Sequence, residues 1–209
     1  LIINEKYLIK YFKHFDSFFK NKKDLRLLLA FSGGSDSILL LYLLLRYFKG
    51  NNRAIKIAHI NHNLRNDSFK DEAFVTKVGL ELGIKTYIRQ LNPKLKSNDE
   101  SIESWARKER YKSLSEILIE SNSNIILTGH HKNDQVETIL KNISEKTGLF
   151  GLGGMKSISK NLIRPLLPFT KIELMRIIDK YKIPYVDDSS NEELRFKRNF
   201  IRKKVLGPW

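Results

Sequence analysis

A polar loop with two adjacent glycines separates two apolar segments near the start of the chain. An apolar run at residues 25–31 is followed by Ser32-Gly33-Gly34-Ser35-Asp36-Ser37, and residues 37–48 are again mostly apolar. This order predicts a buried parallel strand, a turn and a helix. A phosphate group binds well at such a turn, because glycines let the backbone approach closely and N–H groups at a helix N-terminus favour negative charge.

The side chains of this loop also suit a nucleotide phosphate. The hydroxyl groups of Ser32, Ser35 and Ser37 can donate hydrogen bonds to a phosphate, in addition to those from the backbone N–H groups. Asp36 would repel a phosphate unless a cation lay between them, so we expect Mg²⁺ there. The loop matches neither a Walker A loop nor the G-x-G-x-x-G of a dinucleotide site. A tight turn without a ligand is the alternative, and the serines and the aspartate argue against it.

The rest of the chain continues the alternation of strand and helix. Strands are predicted at residues 54–60, 85–90, 124–128 and 162–163, and helices at residues 5–20, 69–82, 102–120, 135–144 and 170–181. The pattern predicts an α/β fold, a parallel sheet flanked by helices, with a small helical C-terminal extension. Polar loops after the first, second and fourth strands should meet in one crevice beyond the carboxyl ends of the strands.

Composition narrows the partners and the chemistry. The 209 residues include 38 Lys and Arg against 23 Asp and Glu, a net charge of +15, which favours a polyanion such as nucleic acid over a basic membrane-surface role. Cysteine is absent, which excludes disulfides, thiolate zinc sites, Cys-ligated iron–sulfur clusters and a cysteine nucleophile. No apolar run reaches the roughly 18 residues of a membrane span. With no signal peptide in the sequence either, a soluble cytoplasmic protein is expected.

Polar residues after the fourth strand are candidates for catalysis. Asp134 and Glu137 are three positions apart at a predicted helix start and so share one face. Carboxylates beside a phosphate site can hold Mg²⁺ or an attacking amine. The alternative is that they only complement the helix dipole. His130, just before them, can donate to a phosphate or an oxyanion.

Basic and glycine-rich segments are candidates for contact with a large substrate. His59, His62 and Arg65 follow the second strand, and one or two of them can be structural. Arg107 and Arg110 share a helical face that can clamp a phosphate or a base, or lie in solvent.

Two segments near the end of the chain also suit a large substrate. The apolar, glycine-rich residues 148–155 can close over a base or an amino acid, or serve as a connector. Arg198 and Arg202 share a face of a basic tail that can grip an RNA backbone, or form a solvated helix.

Residues 32–37 resemble the PP-loop of the ATP-pyrophosphatase superfamily, whose members transfer AMP from ATP to a substrate oxygen and release pyrophosphate. Further segments are more selective. They are HINHNLR at 59–65, ESWARKERY at 103–111, TGHHKNDQVET at 128–138, GLFGLGGM at 148–155, RPLL at 164–167, DSSN at 188–191 and RNFIR at 198–202. In this order and spacing they are similar to the tRNA(Ile)-lysidine synthetase family over residues 24–206.

The resemblance implies a Rossmann-type fold of the PP-loop, adenine nucleotide α-hydrolase-like class, and a two-step ligation with ATP and Mg²⁺. The C2 oxygen of the wobble cytidine in a tRNA(Ile) with a CAU anticodon attacks the α-phosphate of ATP, and pyrophosphate leaves. The ε-amine of free L-lysine then attacks C2, and AMP leaves. The family is often dimeric, which predicts a homodimer, although no segment of the sequence marks an interface.

The resemblance and the residue chemistry together assign roles. Catalysis is expected of Asp36, Arg110, His130, Asp134 and Glu137, and the metal role of Asp36 and Asp134. ATP contacts are expected of Ser32, Gly33, Gly34, Ser35, Asp36, Ser37, His59 and Asn61. Contacts with the other substrates are expected of His62, Arg65, Arg107, Gly151, Gly154, Arg198 and Arg202.

The chain departs from many relatives at two places and divides into three parts. Asn133 stands where they carry aspartate, so at this pair of positions the metal role falls to Asp134 and not to Asn133, and Glu145-Lys146 stands where they carry Arg-Gly. We expect an N-terminal helix packed on the core (1–23), a PP-loop ATP-binding catalytic domain (24–190) and a basic helical tail (191–209). The family usually continues with further tRNA-binding regions, so the tail is expected to begin a linker.

Two other functions remain open at this stage. Another PP-loop ligase is one, although thiolation of tRNA is hard to support without cysteine, and an NAD or GMP synthetase has no need of a strongly basic surface. A noncatalytic tRNA-binding protein with the same fold is the other. It predicts tRNA binding without nucleotide turnover, and the intact Asp36 argues against it.

Overall fold

The computed structural model describes residues 7–49, 54–145, 147, 152–186 and 197–206. In these residues six strands form one sheet: β1 Leu27–Ala30, β2 Ile55–Asn61, β3 Thr86–Gln90, β4 Ile125–Leu127, β5 Ile158–Ser159 and β6 Leu162–Ile163. Their order is β3-β2-β1-β4-β6-β5. Neighbouring strands are parallel except β5, which pairs antiparallel with β6. The predicted α/β fold is confirmed, and β5 is an edge strand that the sequence pattern did not predict.

Helices pack on both faces of the sheet. They are α1 Ile9–Phe19, α2 Ser35–Tyr47, α3 Ser68–Glu81, α4 Ile102–Glu120, α5 Lys132–Ser144, α6 Lys171–Tyr181 and α7 Lys197–Phe200, which continues as a π-helix over Ile201–Leu206. Among the described helices, none is both long enough and apolar enough to cross a membrane. Most helix bounds lie within three residues of those predicted, because the helices carry strong apolar periodicity and recognisable ends.

The two faces of β1 explain why its sequence is continuously apolar. Leu27 and Leu29 belong to the larger core cluster, with side chains of α1, α2, α3 and α6. Leu28 and Ala30 belong to a second cluster, with side chains of α4. A central parallel strand is buried on both faces, so no polar alternation is left in its sequence.

The strand order creates a crevice between β1 and β4. From β1 the chain proceeds through α2 to β2 and β3 on one side, whereas β4 and β6 lie on the other. This is a topological switch point, where the loops after neighbouring strands diverge and leave room for a ligand beyond their carboxyl ends. The loops after β1 and β4 therefore line the same crevice.

Helix α1 is tied to α2 and to α6. Phe15 is fully buried in the larger core cluster, and the Tyr47 hydroxyl of α2 donates to Asp16 Oδ1 at 2.9 Å. Lys10 Nζ lies 2.5 Å from Glu173 Oε1 of α6. The hydrogen bond from Lys10, followed by that from the Thr170 backbone, lowers the pKa of Glu173 to about 2. This surface pair contributes little stability but orients the first turn of α6.

Candidate functional site

A cavity of about 700 Å³ lies beyond the carboxyl ends of β1 and β4. One wall is the loop after β1 and the first turn of α2, and the others come from α5, α6, the segment before residue 187 and the C-terminal π-helix. Described residues that line it are Ser32, Gly34, Ser35, Asp36, Ser37, His131, Asn133, Glu137, Lys171, Ile172, Met175, Tyr185, Val186, Arg202 and Leu206.

The loop after β1 is held in a fixed shape by its own serines. The Gly34 N–H donates to Ser32 Oγ at 3.3 Å, and the Ser37 hydroxyl donates to Gly34 O at 3.0 Å. Gly33 has φ +85°, and a Cβ there would lie 3.1 Å from Cδ1 of Phe74. Gly34 is the N-cap of α2 and has no side chain to satisfy the first N–H groups of the helix. Those groups are therefore available to an anion such as a phosphate.

Asp36 lies in the first turn of α2 and carries its negative charge in the cavity. Lys171 Nζ donates to Asp36 Oδ1 at 2.7 Å, and His131 Nε2 lies 3.6 Å from Asp36 Oδ2. Burial raises the pKa of Asp36, but the neighbouring His131 ring and Lys171 ammonium outweigh it, so the pKa lies below its ordinary value. The carboxylate is therefore ionised at neutral pH.

The histidine beside this carboxylate is His131, not the predicted His130. His131 is buried at the N-cap of α5, where its backbone N–H donates to Asp134 Oδ2 at 2.9 Å. Its Nε2 lies 3.5 Å from the same oxygen. His130 is half-buried, with Nδ1 2.8 Å from Thr128 Oγ1, and is not among the residues that line the cavity. The extended N-cap conformation turns His131 inward.

Two carboxylates of α5 share a guanidinium from the C-terminal π-helix. Glu137 is fully buried, and Arg202 donates to it through Nε at 2.6 Å and Nη2 at 3.1 Å. Arg202 Nη2 also lies 3.8 Å from Asp134 Oδ1. The hydrogen bond to Glu137 raises the pKa of Arg202 against the opposing effect of burial. Arg202, for which a substrate contact was predicted and a solvated helix was the alternative, thus lines the cavity, because a buried carboxylate requires hydrogen-bonded cations.

The other predicted residues, at the end of β2 and on α4, are not among the described residues that line the cavity. His59 is buried, its Nδ1 lies 3.0 Å from Phe31 O, and burial lowers its pKa, with the charge of Arg110 adding to the effect. Asn61 uses its amide internally, donating from Nδ2 to Glu72 Oε2 at 3.1 Å.

Three further residues predicted to contact substrate do not line the cavity. Arg65 pairs with Asp71 and Arg107 lies over the ring of Tyr111, while His62 also has contacts of its own. These residues thus follow β2, the neighbour of β1, or lie on α4, and none of them lines the cavity.

The glycine-rich segment before β5 is described from residue 152 onward. Gly154 has φ +61°, and a Cβ there would lie 2.6 Å from Gln135 Nε2. Gln135 accepts from the Met155 N–H at 2.7 Å and donates to Met155 O at 3.1 Å. The end of this segment is therefore fastened to α5. Gly151 and the side chain of Arg198 lie outside the described residues.

Whether these side chains fit a metal ion depends on what else would coordinate it. Within the described ranges, no group of three or more His, Asp or Glu side chains is arranged to hold a metal ion. Asp36 and Asp134 both approach His131, at 3.6 and 3.5 Å from its Nε2. Mg²⁺ is commonly held by one or two carboxylates together with substrate phosphates and water, and these two carboxylates fit that arrangement.

Several cavity residues were missed by the sequence analysis. Lys171, Asn133, Met175 and Tyr185 line the cavity, together with His131. The capping box of Thr170 and Glu173 marks the start of α6 in the sequence, but nothing in the local sequence indicates that this helix points its first turn at the loop after β1. Such contacts depend on tertiary packing.

Gly129, between β4 and α5, lies close to the backbone at the start of α2. A Cβ at this position would lie 3.0 Å from the backbone carbon and oxygen of Asp36. We expect Gly129→Ala to destabilise the protein by about 1–3 kcal/mol, because backbone atoms must shift. The displaced start of α2 should also weaken nucleotide binding. Thermal unfolding and calorimetric ATP titration measure the two effects, and unchanged values in both would contradict the prediction.

Comparisons with known proteins agree with this geometry. A family model described as PP-loop domain matches residues 8–208. Relatives named tRNA(Ile)-lysidine synthase include those of Thermosipho africanus (41% identical over 186 residues; 87% of this chain, 43% of the relative) and Petrotoga mobilis (34% over 203 residues; 96% and 64%). The chain thus spans about half the length of the curated relatives it matches.

Two solved structures share the fold. The U34-tRNA thiolase NcsA of Methanococcus maripaludis has a TM-score of 0.73 and 19% identity, covering 98% of this chain and 75% of its own. The NH₃-dependent NAD synthetase of Campylobacter jejuni has a TM-score of 0.59 and 16% identity, covering 98% and 87%. The fold, the shaped loop at the head of α2 and the match across residues 8–208 agree, and the chain belongs to the PP-loop domain family.

Proposed function

We propose that this chain carries the catalytic PP-loop domain of a tRNA(Ile)-lysidine synthase. The reaction ligates lysine to C2 of the wobble cytidine in a tRNA(Ile) with a CAU anticodon and consumes ATP. The observation that carries the proposal is the cavity in which an anion-binding loop lies beside the ionised carboxylate of Asp36 at the switch point of the sheet. The names of the relatives support the choice of reaction.

In the first step the cytidine C2 oxygen attacks the α-phosphate of ATP, the bond to the bridging oxygen breaks, and pyrophosphate leaves. The backbone N–H groups of Ser35 and Asp36, at the start of α2, stabilise the negative charge that develops on the phosphate. Ser32 and Ser35 add hydroxyl donors, whereas the Ser37 hydroxyl donates to Gly34 O and shapes the loop. Mg²⁺, held by Asp36 and Asp134, would neutralise charge on the phosphates when bound.

In the second step the ε-amine of lysine attacks C2 of the adenylated base, and AMP leaves. The amine must lose a proton before it attacks. Glu137 lines the cavity, and Asp134, three positions before it on α5, lies 3.8 Å from the same Arg202 guanidinium; these two acids are the candidates to hold the ammonium group and accept that proton. Arg202 keeps both carboxylates in place through its guanidinium.

The RNA part of the proposal rests on charge and on access. The net charge of +15 suits a tRNA backbone. The target base must leave its stack, because its C2 edge has to enter the cavity. Arg65, Arg107 and His62 are candidates for phosphate contacts outside the cavity. A cytoplasmic location and a homodimer stay predictions.

The direct test follows AMP release and incorporation of radiolabelled lysine with a tRNA(Ile) transcript that carries a CAU anticodon. We expect lysine incorporation that requires both ATP and the wobble cytidine. A transcript with uridine at that position is the matched control. AMP release that depends on tRNA, with no lysine transferred, would overturn the choice of nucleophile. Binding of tRNA without any AMP release would favour the noncatalytic alternative.

A further inference from the structure

The ammonium group of Lys171 lies directly over the start of the PP-loop helix. Lys171 Nζ donates to Ser35 Oγ at 2.7 Å and to Asp36 Oδ1 at 2.7 Å. Its side chain is 34% exposed, and it lines the cavity. Ser35 and Asp36 are the first residues of α2, so the ammonium lies where the helix N-terminus faces the cavity.

The backbone that carries this side chain is held at several points. The Lys171 N–H donates to Asn133 Oδ1 at 2.9 Å. Lys171 follows the capping box in which the Thr170 N–H donates to Glu173 Oε2 at 2.8 Å, and Glu173 in turn pairs with Lys10 of α1. The Lys171 backbone is thus fixed, while its four-carbon side chain can swing between neighbouring oxygen atoms.

The charges around the cavity favour a ligand-binding role for Lys171 in addition to its ion pair with Asp36. Among the described residues that line the cavity, the permanent cations are Lys171 and Arg202, and Arg202 is engaged with the buried Glu137. A polyphosphate at the head of α2 would meet the carboxylate of Asp36. A cation within reach of both groups removes that repulsion and adds a charge-assisted hydrogen bond to phosphate.

We infer that Lys171 is a phosphate-binding residue of the PP-loop site, which contacts the β- and γ-phosphates of ATP that leave as pyrophosphate. The inference rests on the proposed use of ATP. A purely structural ion pair between α2 and α6 is the competing explanation. The two differ in which ligands lose affinity when the charge is removed, because AMP lacks the two outer phosphates.

Calorimetric titration of the whole chain with ATP, inorganic pyrophosphate and AMP tests the inference. For Lys171→Met we expect the Kd for ATP and for pyrophosphate to rise about tenfold or more, with the Kd for AMP unchanged. Lys171→Arg should retain most of the affinity for pyrophosphate. Lys180→Met removes a charge from the last turn of the same helix and is the matched control, with no change expected.

Each other outcome contradicts a different statement. An equal loss of affinity for AMP and ATP would make Lys171 a structural residue, and an unchanged affinity for pyrophosphate would overturn the inference while leaving the proposed function in place. If the unaltered chain bound no ATP at all, the proposed function would fail, and the role of Lys171 with it. Circular dichroism melting of each variant checks that it is folded.

Discussion

Replacing Arg202 with methionine is expected to lower the free energy of unfolding by about 3 kcal/mol. The carboxylate of Glu137, whose side chain is 1% exposed, would lose hydrogen bonds from Nε at 2.6 Å and from Nη2 at 3.1 Å. A buried charge that loses its partner keeps its desolvation cost without the compensating attraction. Equilibrium unfolding in urea measures the change.

A double-mutant cycle separates the ion pair from simple packing. Glu137→Gln combined with Arg202→Met removes both charges, so the double variant should regain part of the stability that Arg202→Met loses. Lys204→Met, an exposed cation in the same π-helix, is the control and should change stability by no more than about 0.5 kcal/mol. Additive losses in the double variant would show that the pair is not coupled.

Arg202→Met should also affect catalysis. Arg202 also lies 3.8 Å from Asp134, so its removal frees both carboxylates of α5 to move. We attribute to this guanidinium the positioning of Asp134 and Glu137. The last residue of the RNFIR segment, Arg202, therefore belongs to the wall of the site, although the segment has the sequence of a basic helix.

Local patterns predicted the parts of the fold that depend on neighbouring residues. The apolar run of β1, the glycine turn and α2 form one continuous stretch, so composition and spacing determine them together. The crevice beyond the carboxyl ends of the strands was predicted from the strand and helix alternation, because parallel strands direct their following loops to the same edge. The strand order that makes it a switch point was not predicted. The capping box at Thr170 likewise marked the start of α6 correctly.

Contacts between distant segments could not be read from those patterns. Lys171 and Asp36 are 135 positions apart, and only the packing of α6 against α2 brings them together. Which of His130 and His131 approaches Asp36 depends on the backbone conformation at the N-cap of α5. Two adjacent histidines in a sequence do not reveal that conformation. The edge strand β5 was missed because both of its residues are exposed and carry no apolar alternation.

Asp36→Asn is expected to lower the rate of tRNA-dependent AMP formation by roughly 100- to 1,000-fold. The substitution keeps the size of the side chain and removes its charge, so hydrogen bonding to Lys171 can persist while the attraction to a cation is lost. Because the pKa of Asp36 lies below its ordinary value, the carboxylate is charged across the neutral range, and the loss should be the same at every pH from about 6 to 8.

The size of the loss identifies the charge as the cause only if the fold is intact. Asp16→Asn removes a carboxylate from α1, where it accepts a hydrogen bond from Tyr47 far from the cavity lining, and should leave AMP formation unchanged. For Asp36→Asn the melting temperature should shift by only a few degrees, since the Asp36 side chain is 32% exposed. If Asp36→Asn retained more than about a tenth of the original rate, its charge would not be essential, because an essential metal-binding carboxylate costs more than that. The negative charge of the phosphates would then have to be neutralised by lysine and arginine side chains, together with any cation that Asp134 holds.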